Sequence, residues 1–222
     1  MSLDRIHLRK LLQIAYAPTN LRTSLMRADI RSEIAKQGEL GSGGGDFFAP
    51  FWSDAKSHAA QRCDLTLETA RRVASNRGRS RLYPRLRDGF LTWWDDRRRW
   101  TNQELRSFET SAKGQLEFKD LGVVLKVENL LCVTVGENEH KLIYPYFSER
   151  PILTEEGARL GLWVMGRALP RWELADMRIL DVMRGASYSV DRNPFDGREE
   201  VLLHDKIERL VVEWQHLWEE YY

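Results

Sequence analysis

The spacing of apolar residues predicts helices throughout the first half of the chain. In the first predicted helix the apolar residues lie three or four positions apart, at Leu8, Leu11, Leu12 and Ala15. Pro18 is expected to end this helix. The same spacing predicts further helices over 20–38, from Pro50, from Asp64 and from Pro84. A glycine-rich loop at 41–45 separates the second helix from the third.

The pattern changes after Gly114, where short runs rich in valine and leucine replace the helical stripes. These runs predict three strands, over 121–127, 130–135 and 140–147. Turn-forming residues flank each run, and short length with such flanks favours strands over helices. We therefore expect β-structure to begin at this point of the chain.

A second group of elements follows these strands. Thr154 is a suitable N-cap for a helix, and strands are predicted over 177–182 and, more briefly, over 187–190. The last helix has a broad apolar face from Leu203 to Trp218. The sequence thus predicts an α+β fold, in which a helical N-terminal half precedes a strand-strand-strand-helix-strand-helix C-terminal half.

The element order over roughly 84–190 is a helix, three strands, a helix and a further strand. This order resembles the core of the restriction-endonuclease-like PD-(D/E)XK fold. In that family an acidic residue on one strand and an acid-x-Lys motif on the next hold Mg²⁺. The resemblance implies a metal-dependent nuclease.

Candidate motifs for that chemistry are three acid-x-Lys matches, at Asp54–Lys56, Glu117–Lys119 and Glu139–Lys141. If Glu128 were the upstream acid for Glu139, it would lie at the turn that joins the first two predicted strands, whereas Glu139 lies at the turn that joins the second and third. Those two residues lie at turns about 20 Å apart, because a strand of about six residues at ~3.3 Å per residue separates the turns. One metal ion cannot bridge them. The sequence therefore assigns no catalytic residue, metal ligand or cofactor, and it leaves an enzymatic activity open.

Charge divides the chain into two regions although the formal net charge is only +1. Residues 1–115 sum to +8 and residues 116–222 to −7. We expect a basic helical region over 1–115 and an acidic α+β region over 116–222, which could also pack as one compact domain. Opposite charges suit either a basic surface for a polyanion or neutralisation between the halves.

Neither a membrane span nor a signal peptide is expected from the sequence. No apolar run approaches the ~18–20 residues that span a bilayer, and the polar start lacks the apolar core of a signal peptide. Cys63 and Cys132 are too few for a disulfide framework. We expect a cytoplasmic protein with no membrane partner.

The most distinctive segment is Arg62–Arg106, with twelve arginines, no lysine and six acidic residues. Guanidinium groups bind phosphate in bidentate fashion and stack on bases. The candidate nucleic-acid-binding residues are Arg71, Arg72, Arg77, Arg79, Arg81, Arg85, Arg87, Arg97, Arg98 and Arg99.

Within the same segment Trp93 and Trp94 are adjacent. Successive helical residues point about 100° apart, so the two rings are not expected to face one core. One of them is expected to line a second interface, within the protein or with a partner.

Three functions are consistent with these features. The leading hypothesis is an intracellular binding protein whose arginine-rich segment contacts nucleic acid or another polyanion. The second is a protein-interaction or self-association module in which the basic half of one copy pairs with the acidic half of another. The third is the metal-dependent nuclease that the resemblance implies.

Overall fold

The structure is a computed structural model that describes residues 4–37, 46–97, 105–107, 112–136 and 139–221. Its α-helices are α1 (Leu8–Tyr16), α2 (Thr19–Gln37), α3 (Ala49–Ala59), α4 (Leu65–Ser75), α5 (Tyr83–Leu91), α6 (Glu155–Ala168) and α7 (Glu199–Glu219). Short 3₁₀ turns occupy Arg77–Arg79 and Leu174–Asp176, and a π-helical turn at Thr92–Arg97 extends α5. The predicted α+β class is confirmed.

Local capping explains several of these boundaries. The Asp64 carboxylate accepts hydrogen bonds from the amides of Thr66 and Leu67, which begins α4 where the sequence predicts it. The Thr154 hydroxyl accepts from the amide of Gly157 at the start of α6. These contacts lie within three residues of the cap, so the sequence alone encodes them.

The strands form two sheets. They are β1 (Arg5–His7), β2 (Leu105–Ser107), β3 (Gly114–Phe118), β4 (Val123–Val127), β5 (Leu131–Val135), β6 (Glu139–Tyr146), β7 (Met177–Asp181) and β8 (Ala186–Tyr188). A three-stranded sheet has the order β1-β4-β3, and a five-stranded sheet has the order β2-β5-β6-β7-β8. In the larger sheet β6 and β7 are parallel and the other neighbours are antiparallel.

The larger sheet lies between two helical layers. Leu131 and Val133 pack with α3, α4 and α5, whereas Cys132 between them faces the other core with α1, α6 and α7. This alternation follows from the two-residue period of a strand. The sheet is thus covered on both faces, and the carboxyl ends of β6 and β7 meet at one edge.

The three strands predicted after Gly114 do not form one meander. β4 pairs with β3 and β1, whereas β5 and β6 pair with each other in the larger sheet. β2, β5 and β6 are antiparallel neighbours although β3 and β4 lie between β2 and β5 in the chain, and α6 connects β6 to the parallel strand β7. The predicted meander of three consecutive strands is therefore not formed, because β4 belongs to the smaller sheet.

The N-terminal elements share a core with the C-terminal half. β1 pairs in parallel with β4, and buried side chains of α1 and α2 pack in the same cluster as those of α6 and α7. Arg22 forms an ion pair of 2.7 Å with Glu213, and Arg27 one of 2.8 Å with Glu220. Charge neutralisation between the basic and acidic regions therefore occurs within one molecule.

The tryptophan pair differs from expectation. Trp93 and Trp94 are 0% and 8% exposed, and both belong to the core cluster beneath α3–α5. They lie in the π-helical turn that follows Leu91, and Phe90 contacts both rings. Rings as large as these reach a common neighbour from adjacent helical positions, and here that neighbour is Phe90. Both rings consequently face one core.

Candidate functional site

Seven of the ten candidate arginines have described side chains, and they lie along the α4–α5 connection. Arg71 and Arg72 are on the last turns of α4, and Arg85 and Arg87 are on α5. The remaining three, Arg77, Arg79 and Arg81, lie on the short connection between the helices. The backbone of Arg97 ends the π-helical turn, and its side chain lies outside the described part of the chain, as do Arg98 and Arg99 entirely.

Arg72 has a structural role. Its Nε and Nη2 atoms each donate a hydrogen bond of 2.9 Å to the two carboxylate oxygens of Asp54, which is 8% exposed. This bidentate pair joins α4 to α3. The hydrogen bonds raise the pKa of Arg72 further above its usual value. Arg72 therefore has little capacity left for an external phosphate.

Two more arginines pair with neighbours on their own helices. Arg71 contacts Glu68 at 2.6 Å, one helical turn earlier, and its side chain is 73% exposed. Arg87 contacts Asp88 at 2.6 Å. The exposed Arg71 pair contributes about 0–1 kcal/mol and leaves that guanidinium accessible, whereas the Arg87 side chain is only 26% exposed.

Arg81 and Arg85 share one carboxylate. Arg81 Nη1 lies 2.6 Å from Glu149 Oε2, and Arg85 donates to the second oxygen of Glu149. The two arginine side chains are 66% and 51% exposed. Their hydrogen bonds lower the pKa of Glu149 below its usual value. One acid therefore neutralises only half of the charge that it contacts.

Arg77 and Arg79 make no ion pair within the described residues. Arg77 is exposed on the 3₁₀ turn, whose backbone is held by a hydrogen bond from the Gly78 amide to the Asn76 side chain. The Arg79 guanidinium lies 5.3 Å from the centroid of the Tyr83 ring. Together with Arg81 and Arg85, these residues form what we call the arginine cluster, and with Glu149 its formal charge is +3.

The acid-x-Lys matches do not form a metal centre within the described chain. Asp54 is held by Arg72, and Lys141 contacts Asp176 at 2.6 Å. Glu117 and Lys119 are exposed on β3 and just after it. In the part of the chain that the structure describes, the only group of three or more potential ligand side chains within coordination distance of one another is His204, Asp205 and Glu208, on the surface of α7. No acid-x-Lys match belongs to it.

A polar cavity of about 250 Å³ was not predicted from the sequence. One wall is a single face of α3, with Ala49, Trp52, Ser53 and Lys56 at positions i, i+3, i+4 and i+7. That spacing is a signal in the sequence, but it shows only that the residues share a face. The opposite wall comes from the start of α1 and from the β4–β5 turn. These two segments lie more than 60 positions apart in the chain.

Comparisons with known proteins add no relative to these observations. No protein-family model matches the chain, and no curated protein matches its sequence. Among the described residues, no helix combines the length and apolar character needed to cross a bilayer. The fold and site thus define an α+β protein with an exposed, partly neutralised arginine cluster.

Proposed function

We propose that this protein binds nucleic acid or another polyanion through the arginine cluster. The observation that carries the proposal is that four arginines lie between positions 77 and 85, and that Glu149 is the one carboxylate paired with any of them within the described residues. Arginine forks match the geometry of phosphate oxygens, and successive phosphates can occupy successive arginines.

The ion pairs with Glu149 do not oppose this function strongly. An exposed pair contributes about 0–1 kcal/mol, and a phosphate can replace the carboxylate as the hydrogen-bond acceptor. Arg81 and Arg85 are both more than half exposed. In the absence of a polyanion, Glu149 holds these two side chains in neighbouring positions, which reduces the entropy lost on binding.

The assembly alternative has less support. Arg22–Glu213 and Arg27–Glu220 already join the basic and acidic regions inside one molecule. Fewer unpaired charges then remain for pairing between copies. No observation specifically favours this alternative or the nuclease, so the polyanion-binding function is preferred.

The test is fluorescence anisotropy with labelled single-stranded and duplex DNA and RNA oligonucleotides. With three phosphate contacts, log K should fall with log[salt] with a slope of about −2 to −3. Replacing all four cluster arginines by glutamine should weaken binding by about 100-fold at low salt, at roughly 1 kcal/mol or less per contact, and flatten the slope.

A control that removes two positive charges elsewhere, rather than four, is available on other surfaces of the molecule. Arg171 and Arg209 are exposed and make no ion pair within the described residues. A double Arg171→Gln, Arg209→Gln variant should bind nearly as well as the wild type. The proposal is wrong if the wild type binds no oligonucleotide at low salt, or if the cluster variant and the control variant lose affinity equally.

A further inference from the structure

The polar cavity beside α3 contains several groups that are already paired within the protein. Arg9 forms an ion pair with Asp46, and its backbone amide donates a hydrogen bond of 2.9 Å to the Tyr144 hydroxyl. The indole nitrogen of Trp52 donates to the carbonyl oxygen of Asn129 at 2.6 Å. These contacts fix the cavity walls and leave those groups satisfied.

Two charged side chains of the cavity have no such partner. Lys56 and Glu128 are half-buried, and neither makes an ion pair or a hydrogen bond through its side chain within the described residues. They also do not pair with each other. Burial lowers the pKa of the Lys56 ammonium, because desolvation disfavours its charged form. The cavity therefore holds one cation and one anion that the fold leaves uncompensated.

His7 does not neutralise Glu128. Burial is the main influence on this imidazole and lowers its pKa below 6.5, although the nearby Glu128 carboxylate acts in the opposite direction. A histidine with a lowered pKa is neutral at pH 7. The charge of Glu128 thus remains, while His7 can still donate or accept a hydrogen bond.

We propose that this cavity binds a small zwitterion, such as a free amino acid, with its anionic group at Lys56 and its cationic group at Glu128. A ligand of this class compensates both charges at once, and its carbon skeleton can pack between them against Trp52. A simple anion would satisfy Lys56 but would face the carboxylate of Glu128. A simple cation would meet the ammonium of Lys56 in the same way.

The size of the cavity supports the same class. An apolar cavity of about 150 Å³ accommodates benzene, whereas pockets for drug-sized ligands occupy about 300–1,000 Å³. The volume of about 250 Å³ lies between these values and suits a molecule of amino-acid size. The inference does not depend on the arginine cluster, which lies on the α4–α5 connection and the first turn of α5.

The test is an NMR titration of the ¹⁵N-labelled protein, followed through the indole resonance of Trp52. The probes are glycine, β-alanine and γ-aminobutyrate, which differ in the separation of their charges. Propionate, propylamine and inorganic phosphate are the singly signed controls. At least one zwitterion should give a saturable shift below about 10 mM, where a ligand with a Kd near 1 mM is mostly bound. None of the controls should do so.

Variants then identify the contacts. Lys56→Met and Glu128→Gln should each weaken zwitterion binding about 10-fold or more, the equivalent of roughly 1.4 kcal/mol. The matched changes Lys119→Met and Glu117→Gln, on an exposed part of β3 and its following turn, should have no effect. Oligonucleotide binding should be unchanged in all four variants, so this test and that of the arginine cluster can fail separately.

Three outcomes would overturn the proposal. The first is the absence of a shift with every zwitterion on the wild type, which needs no variant to fold. The second is zwitterion binding that persists in both Lys56→Met and Glu128→Gln. The third is phosphate or propionate binding that requires Lys56 but not Glu128, because the cavity would then be a simple anion site.

Discussion

Arg184 and Asp181 form an ion pair at the carboxyl end of β7, where the Asp181 side chain is completely buried. Arg184 Nη1 lies 2.9 Å from Asp181 Oδ2, and the guanidinium also donates to the backbone carbonyls of Ser148 and Glu149. The pair therefore connects the ends of β6 and β7. It also holds the backbone of Glu149, whose side chain contacts the arginine cluster.

Removing the arginine should be strongly destabilising. Arg184→Met leaves a buried carboxylate without its cation, and we expect a loss of about 3 kcal/mol in the free energy of unfolding at pH 7. Urea denaturation followed by circular dichroism measures this loss. Arg167→Met removes an arginine whose side chain is 60% exposed and should change stability by less than about 0.5 kcal/mol.

The loss should depend on pH. Desolvation already raises the pKa of Asp181 above 3.8, against the opposing effect of Arg184, and removal of Arg184 should raise it further. A carboxyl group whose pKa is higher in the folded than in the unfolded state lowers the free energy of unfolding once the pH rises above the unfolded-state pKa. The loss of unfolding free energy in Arg184→Met should therefore shrink from pH 7 toward pH 4. An equal deficit at both pH values would contradict this assignment of the cause.

Gly89 allows α5 to approach the end of β7 closely. A Cβ atom at this position would overlap the backbone carbonyl oxygen of Val182, which cannot rotate away as a side chain can. We expect Gly89→Ala to reduce stability by about 1–3 kcal/mol, despite the higher helix propensity of alanine. Thermal denaturation measures the effect.

Gly166 provides the control for this substitution. It also lies in a helix, but its added Cβ would meet only the end of the Leu174 side chain, at 3.2 Å. Gly166→Ala should therefore be much less damaging than Gly89→Ala. Similar losses for the two variants would show that the close backbone approach is not the cause.

His204 and Asp120 join α7 to the turn after β3, with Nε2 and Oδ2 2.5 Å apart. This hydrogen bond is the main cause that raises the pKa of His204 above 6.5 and lowers that of Asp120 below 3.8. Protonated His204 contributes stability that is lost as the pH rises through its folded-state pKa. Ionised Asp120 contributes stability that is lost as the pH falls through its own folded-state pKa. The contact should stabilise most between pH 3.8 and 6.5.

An NMR titration of the His204 ring tests this pair directly. Asp120→Asn should return the pKa of His204 toward 6.5, because the charged acceptor is removed. Glu117→Gln, which changes an exposed acid on β3, should leave the His204 titration nearly unchanged. An unaltered His204 titration in Asp120→Asn would rule out the contact in solution.

Local signals predicted most individual elements correctly. The segment predicted to begin at Asp64 is α4, and the last predicted helix lies within Glu199–Glu219. Caps, prolines and apolar stripes act over three or four residues, which is why they can be recognised without the fold. β1 was missed, because its three residues are held by β4 more than 110 positions away.

The sequence did not reveal how the strands pair, or that both adjacent tryptophans are buried in one core. β4 and β5 are consecutive in the chain and were expected in one meander, but they belong to different sheets. Strand partners depend on long-range register, which a local run of valine and leucine does not encode. Trp93 and Trp94 share a core in which Phe90 contacts both rings, a contact that their angular separation on a helix did not predict.

The sequence by itself determined the α+β class, the helix starts and the density of arginine near the α4–α5 connection. Only the tertiary structure decided which of these charges remain available. Arg72 is paired with a buried acid, and Arg81 and Arg85 share Glu149 from another part of the chain. Lys56 and Glu128 line one cavity without pairing with each other. The physical reason is the distance along the chain over which each effect acts. Capping and periodicity depend on residues three or four positions apart, whereas the neutralisation of a charge depends on the groups that the complete fold places beside it.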